Sequence, residues 1–144
     1  MKRAKIKILR LNKNIAVPYK ATPGASGFDL SAAQSITIKA RSFGVVPTGL
    51  AIELPAGIEA QIRPRSGLAF HHGIGVLNSP GTIDPDYRGE IKVILFNISD
   101  KSFTVQPGDR IAQIVFSRII PVEFEEAAAL SKTRRNKGGF GHTG

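Results

Sequence analysis

Apolar and polar positions alternate along most of this chain with a period of two. The alternating or β-rich runs are KIKILRL (5–11), SITIKA (35–40), GVVPTGLAIEL (44–54), IEAQIRP (58–64), EIKVILFN (90–97), SFTV (102–105) and RIAQIVFSRI (110–119). Side chains of an extended strand point alternately to opposite faces, so this period predicts strands with one buried face. Turn chemistry separates the runs: TPGASG, LPAG, NSPG, DPDYRG and QPGD. Many short strands between Gly/Pro turns predict an all-β sandwich, barrel or jelly roll. Two segments predict short helical turns, SGLAFHH (66–72) and EEAAAL (125–130). DPDYRGEI (84–91) reads as a hairpin turn between GTI and IKVILFN, with Pro85 fixing φ and Gly89 supplying a positive one.

The chain has 144 residues, the size of one domain, and no repeat or internal boundary shows. The character changes near Ser131, which divides the chain into a β domain (1–130) and a glycine-rich basic tail (131–144). Such a tail cannot hold a helix or central strand. The absence of cysteine excludes disulfides and thiolate metal sites. No apolar run has signal-peptide or membrane-span length, which predicts a cytoplasmic protein with no membrane partner. The formal charge of +9 points to anionic partners without choosing among them.

Several chemistries are missing. There is no P-loop and no HExxH motif, and His71 and His72 are adjacent, a poor spacing for a joint metal site. RPRSGLAF (63–70) suits phosphate: Arg65 offers a fork of donors, Ser66 a hydroxyl, Gly67 an approachable backbone. It reads equally as a strand end followed by a turn. In GTIDPDYRG (81–89), Asp84 suits general-base work on a water and Tyr87 suits stacking on a sugar or base; turn formation is the competing use. Asp29 in GASGFDLSAA suits a cap, an ion pair or a hydrated cation. Gln113 is a polar residue inside an apolar run, and a buried amide needs partners, structural or in a ligand.

In order, GASGFDLSA, PRSGLA, GTIDPDYRGEI, GDRIAQIVF and GGFGHTG resemble the five motifs of the trimeric deoxyuridine triphosphatases (dUTPases), and VPTGLAIELP resembles the segment between the first two. The resemblance covers the chain from about Pro18 onward. It implies a jelly-roll-like β-clip fold, at most one short helix, a flexible closing tail and assembly as a homotrimer with shared active sites. It also implies hydrolysis of dUTP to dUMP and pyrophosphate with Mg²⁺. By the resemblance, Asp84 activates water for attack on the α-phosphorus and Tyr87 lies under the deoxyribose. Asn78 meets uracil, aided by Thr82, Ile83 and Lys92. Arg65, Ser66, Gly67 and Gln113 meet phosphates, and Asp29 is an outer-shell partner of hydrated Mg²⁺. Arg135 and Phe140 in the tail meet the γ-phosphate and cover the base. The tail reads RNKGGFG where the family more often has glycine after the arginine; Asn136 tolerates left-handed φ better than most residues.

Three rivals stand beside this reading, one of them the same fold used as a regulatory or interaction module, which the full set of motif residues disfavours. The dCTP deaminases share the fold but need a glutamate where this chain has Ile94. A basic β domain binding single-stranded nucleic acid needs stacking platforms, and the chain has no Trp, two Tyr and eight Phe, mostly inside apolar runs. No nucleic-acid partner is therefore expected.

Overall fold

The computed structural model describes residues 4–141. Its strands are β1 (Lys7–Arg10), β2 (Phe28–Ser31), β3 (Ile36–Ile38), β4 (Ser42–Pro47), β5 (Leu50–Glu53), β6 (Ile58–Arg63), β7 (Ile74–Val76), β8 (Gly81–Ile83), β9 (Lys92–Asn97), β10 (Phe103–Val105) and β11 (Arg110–Arg118). One helix, α1 (Ser66–His72), interrupts them. The all-β class with a single short helix is therefore what the chain adopts. The strands form no closed barrel but four sheets, ordered β1-β5, β10-β3, β2-β11-β6-β8 and β4-β9-β7.

The period-two runs become strands because one face of each meets a shared core. Leu30, Val46, Ile62, Ile74, Val93, Leu95, Ile111 and Ile114 all belong to that core. β11 sits centrally in its sheet, with Ile114 opposite Phe28 of β2 on one side and Ile62 of β6 on the other. In the same ladder, Gln113 faces Asp29 and Arg63. The register thus places three polar side chains in one row across the sheet.

Three expectations change. GVVPTGLAIEL does not form one strand: Gly49 has φ +68°, and the chain leaves the β4–β9 pairing to join β1 through β5. A Cβ on Gly49 would lie 2.7 Å from Ile15 Cγ1, so space as well as backbone angle requires glycine there. EEAAAL is not helical; all six residues are exposed, and a helix without an apolar face to bury has no tertiary support. DPDYRGEI is not a hairpin turn: β8 pairs with β6, whereas β9 pairs with β4 and β7. The segment 84–91 instead carries the chain from one sheet to another. SGLAFHH does form α1, closed by Gly73 in the left-handed region at φ 65°.

Beyond β11 the chain runs at the surface. Residues 118–141 are exposed except Gly138 and Gly139. Residues 142–144, the end of the GGFGHTG motif, lie outside the described residues, as do residues 1–3. Among the described residues no helix is long and apolar enough to cross a membrane.

Candidate active site

Two groups of polar residues stand apart in one chain. The first surrounds a cavity of about 350 Å³ between β8 and β9, within the range of small-molecule sites. Ile62, Val76, Val93 and Ile94 supply apolar wall, and Asn78, Thr82, Asp84, Tyr87, Glu90 and Lys92 supply polar groups. Ile83 also lines it. Strand pairing positions this set: β8 is held against β6 with Gly81 opposite Ile62, while β9 is held against β4 and β7. Gly81 leaves room for Asn78, whose Nδ2 would sit 3.2 Å from a Cβ there.

Asp84 starts the connection between the sheets and is exposed at the cavity. Its carbonyl accepts from Tyr87 N–H at 3.1 Å, which closes a tight turn over residues 84–87. Tyr87 Oη donates to the Glu90 carbonyl at 2.9 Å. Gly89 has no positive φ; its requirement is space, since a Cβ would lie 2.9 Å from Tyr87 Cε2 and closer still to Cζ. Arg88 Nη1 donates to the Pro85 carbonyl at 2.6 Å and to the Tyr87 carbonyl at 2.9 Å, bracing the exposed loop.

The second group gathers around Asp29. Its Oδ1 lies 3.3 Å from Arg65 Nε and its Oδ2 3.2 Å from Arg110 Nη1; the carboxylate side chain is only 12 % exposed. Arg65 Nη1 also donates to the Arg110 carbonyl at 3.1 Å. Gln113 Nε2 donates to the Pro64 carbonyl at 3.0 Å, so the buried-run amide has a structural partner that fixes the residue before Arg65. Gly27 makes this possible, because a Cβ there would approach Gln113 Oε1 to 2.6 Å. Ser66 and Gly67 follow as the exposed first residues of α1, and a Cβ on Gly67 would meet nothing within 4 Å. Two guanidinium groups against one carboxylate leave this corner net positive, which suits an anion.

No residue of the second group lines the first cavity, and Asp29 itself sits on β2, with β11 and β6 between it and β8 in the sheet. Three strand spacings amount to roughly 14 Å. Among the described tail residues, neither Arg135 nor Phe140 bonds to either group. Arg135 Nε donates locally to the Gly138 carbonyl at 2.7 Å, and Phe140 is fully exposed. Asn136 and Phe140 both take positive φ, at 42° and 50°, so the position after Arg135 does use the left-handed region.

Sequence reasoning missed two participants, Arg110 and Glu90. Each is a charged residue at or just before the start of an apolar strand, and that placement was their only signal. As for metals, no three His, Asp or Glu residues gather among the described residues. Asp29, with both oxygens facing guanidinium groups, is not an inner-sphere ligand set; it retains lone pairs for water around a hydrated cation.

Comparison with known proteins shows the family and the fold. The family model described as dUTPase matches residues 13–144. Deoxyuridine 5'-triphosphate nucleotidohydrolase of Helicobacter pylori (strain P12) is 54% identical over 140 residues, covering 97% of each chain. The protein of that name from Wolinella succinogenes is 53% identical over 144 residues, covering 100% of this chain and 97% of its own. Among solved structures, a mutant dUTPase of Staphylococcus bacteriophage 80alpha with dUpNHpp superposes with a TM-score of 0.89 at 21% identity, covering 97% of this chain and 98% of that one. A mutant dUTPase from phage phi11 of S. aureus, described with a coordinated structural Mg(II) ion, gives a TM-score of 0.80 at 18% identity, covering 87% of this chain and 97% of that one.

Proposed function

The chain belongs to the dUTPase family, and from that premise we propose that it hydrolyses dUTP to dUMP and pyrophosphate at a site completed by neighbouring copies. The observation that carries the reading is the convergence of Asn78, Asp84, Tyr87 and Lys92 on one nucleoside-sized cavity. Uracil enters between β8 and β9. Asn78 bonds its edge, beside Thr82 and the backbone of Ile83 and Lys92. A donor aimed at O4 rejects cytosine, whose amino group is itself a donor. Tyr87 lies under the deoxyribose. Ile94 makes the wall apolar where a deaminase would need an acid, which favours hydrolysis over deamination.

Asp84 accepts a proton from a water molecule as that water's oxygen attacks the α-phosphorus. The bond from the α-phosphorus to the bridging oxygen breaks, and pyrophosphate leaves with its electron pair. Transfer of this kind needs an aligned nucleophile and neutralised phosphate oxygens. Arg65, Ser66, Gly67 and Gln113 meet the phosphates, with Arg110 beside them. Asp29 would hold a hydrated Mg²⁺ through the ion's waters, as an outer-shell partner. When bound, the ion supplies charge neutralisation.

A homotrimer joins the two groups that one chain keeps apart: the phosphate corner of one copy faces the nucleoside cavity of the next. Ile120, Val122 and Phe124, 78 %, 75 % and 98 % exposed, are apolar side chains that self-association would cover. The tail, residues 131–144, closes over the bound nucleotide, with Arg135 on the γ-phosphate and Phe140 on the base. Stacking of that kind contributes about 1–3 kcal/mol. The enzyme works in the cytoplasm, keeps dUTP low and supplies dUMP for thymidylate synthesis.

Pyrophosphate release from dUTP, dCTP, dTTP and UTP with Mg²⁺ tests this directly. Release from dUTP alone is expected, with a loss of about 10²–10⁴-fold in Asp84→Asn, the usual contribution of a general base. Equal rates for the variant and the unmodified chain would refute the role of Asp84.

A further inference from the structure

The Tyr87 ring is held by a support that the nucleotide reading does not use. Its Oη donates to the carbonyl of Glu90, and its ring lies against the backbone of Gly89. Tyr87, Arg88 and Gly89 are all exposed, and the other ties, Tyr87 N–H to the Asp84 carbonyl and Arg88 Nη1 to the Pro85 and Tyr87 carbonyls, stay within the loop itself. Glu90, by contrast, is pinned on both sides of its Cα. Its side chain, 23 % exposed, turns inward, and Oε1 accepts from Gly49 N–H at 2.9 Å. The peptide plane that follows is fixed as well: Ile91 N–H donates to the Leu50 carbonyl at 2.7 Å. That plane's other edge is the Glu90 carbonyl that receives the Tyr87 hydroxyl. Behind it, Thr48 Oγ1 donates to the Ile91 carbonyl at 2.6 Å from a fully buried position.

We propose that Glu90 is a positioning residue for sugar discrimination, acting through Tyr87. The inference rests on the reading above, in which the Tyr87 ring lies under the deoxyribose. A ring excludes a 2′-hydroxyl only if it does not yield. One carried by an exposed loop shifts by the ångström that admits the extra oxygen, whereas one tied to a buried turn does not. The Glu90–Gly49 bond is the side-chain link between the exposed loop and the Thr48–Gly49 turn. Gly49 itself sits at positive φ against Ile15, which holds its N–H in place.

The test compares the unmodified chain with Glu90→Ala, Glu90→Asp and Glu90→Gln. Two ratios are read: dUMP against UMP affinity by calorimetry, and dUTP against UTP kcat/KM by pyrophosphate release. Glu90→Ala and the shortened Glu90→Asp should each lower both ratios about tenfold, about 1.4 kcal/mol, chiefly by admitting the ribonucleotide. Glu90→Gln keeps an acceptor for Gly49 N–H and should hold both ratios within about threefold of the unmodified chain. A purely structural role would lower both substrates in proportion and leave the ratios unchanged; that result overturns the proposal. So does a Glu90→Gln variant as permissive as Glu90→Ala. If the unmodified chain prefers dUMP over UMP but releases no pyrophosphate, the hydrolytic reading fails while the affinity ratios still decide this one. A chain with no preference for dUMP sinks the inference.

Discussion

Gly27→Ala tests whether the phosphate corner is built as described. A Cβ there would lie 2.6 Å from Gln113 Oε1, against the 3.4 Å at which ordinary contact begins, so the amide must retreat by 3.4 − 2.6 = 0.8 Å. The Gln113 Nε2 bond to the Pro64 carbonyl, at 3.0 Å, does not survive such a shift. Losing one net hydrogen bond costs about 1 kcal/mol. Oε1 is the end of a flexible side chain, so overpacking itself adds little beyond that bond. A cost of about 1 kcal/mol lowers Tm by roughly 3 °C for a chain of this size. Calorimetry at one fixed protein concentration reads it. The discriminating measurement is a double-mutant cycle. In a Gln113→Ala background the remaining encounters are Val115 Cγ2 at 3.2 Å and the residue-113 Cβ at 3.3 Å, so the cost of Gly27→Ala should fall by at least half. Because Pro64 leads into Arg65, the single variant should also raise KM for dUTP more than it lowers kcat. Equal destabilisation in both backgrounds would refute the proposed path from Gly27 through Gln113 to Arg65.

Three further outcomes are expected. Truncation after residue 130 removes a tail whose described residues, 131–141, are exposed except Gly138 and Gly139, so Tm should stay within about 1 °C while dUTP hydrolysis drops by at least tenfold; unchanged turnover would exclude the tail from the site. Asn97→Leu should destabilise by about 3–5 kcal/mol in denaturant titration, because the buried amide donates to the Ile38 and Lys101 carbonyls and accepts from Ser99 N–H and Oγ. The Lys7 ammonium hydrogen-bonds Glu53 and holds its carboxyl below the usual 4.5. A depressed carboxylate contributes stability above its unfolded pKa and loses it as pH falls through the folded value, so any advantage over Lys7→Met should vanish in acid below the normal carboxylate range. An advantage that persists at those pH values would contradict the pairing.

Strand content and the order of the motifs were legible in the sequence because they depend on local signals. The period-two runs survive as β6, β9 and β11 nearly to the residue, since a strand with one apolar face has one way to bury it. α1 was legible for a similar reason: SGLAFHH ends at Gly73, which takes the left-handed cap. Local signals mislead where partner choice decides. GTI and IKVILFN look like the arms of one hairpin, yet β8 and β9 belong to different sheets, and the cavity exists only because they part. EEAAAL has helix-forming residues but no surface to pack on, and propensity alone does not hold six residues helical.

By itself, then, the sequence determined an all-β chain with its candidate residues in motif order, because alternation and turn residues act within a few positions. Tertiary structure alone decided which of those residues meet. It set Gln113 opposite Asp29 through strand register, drew Arg110 to the same carboxylate, and gave Gly27 and Gly89 their need for glycine through space and not through φ. It also kept the Asp29 corner apart from the Asp84 cavity within one chain. Proximity across a sheet is a property of pairing between distant segments, which no local pattern encodes.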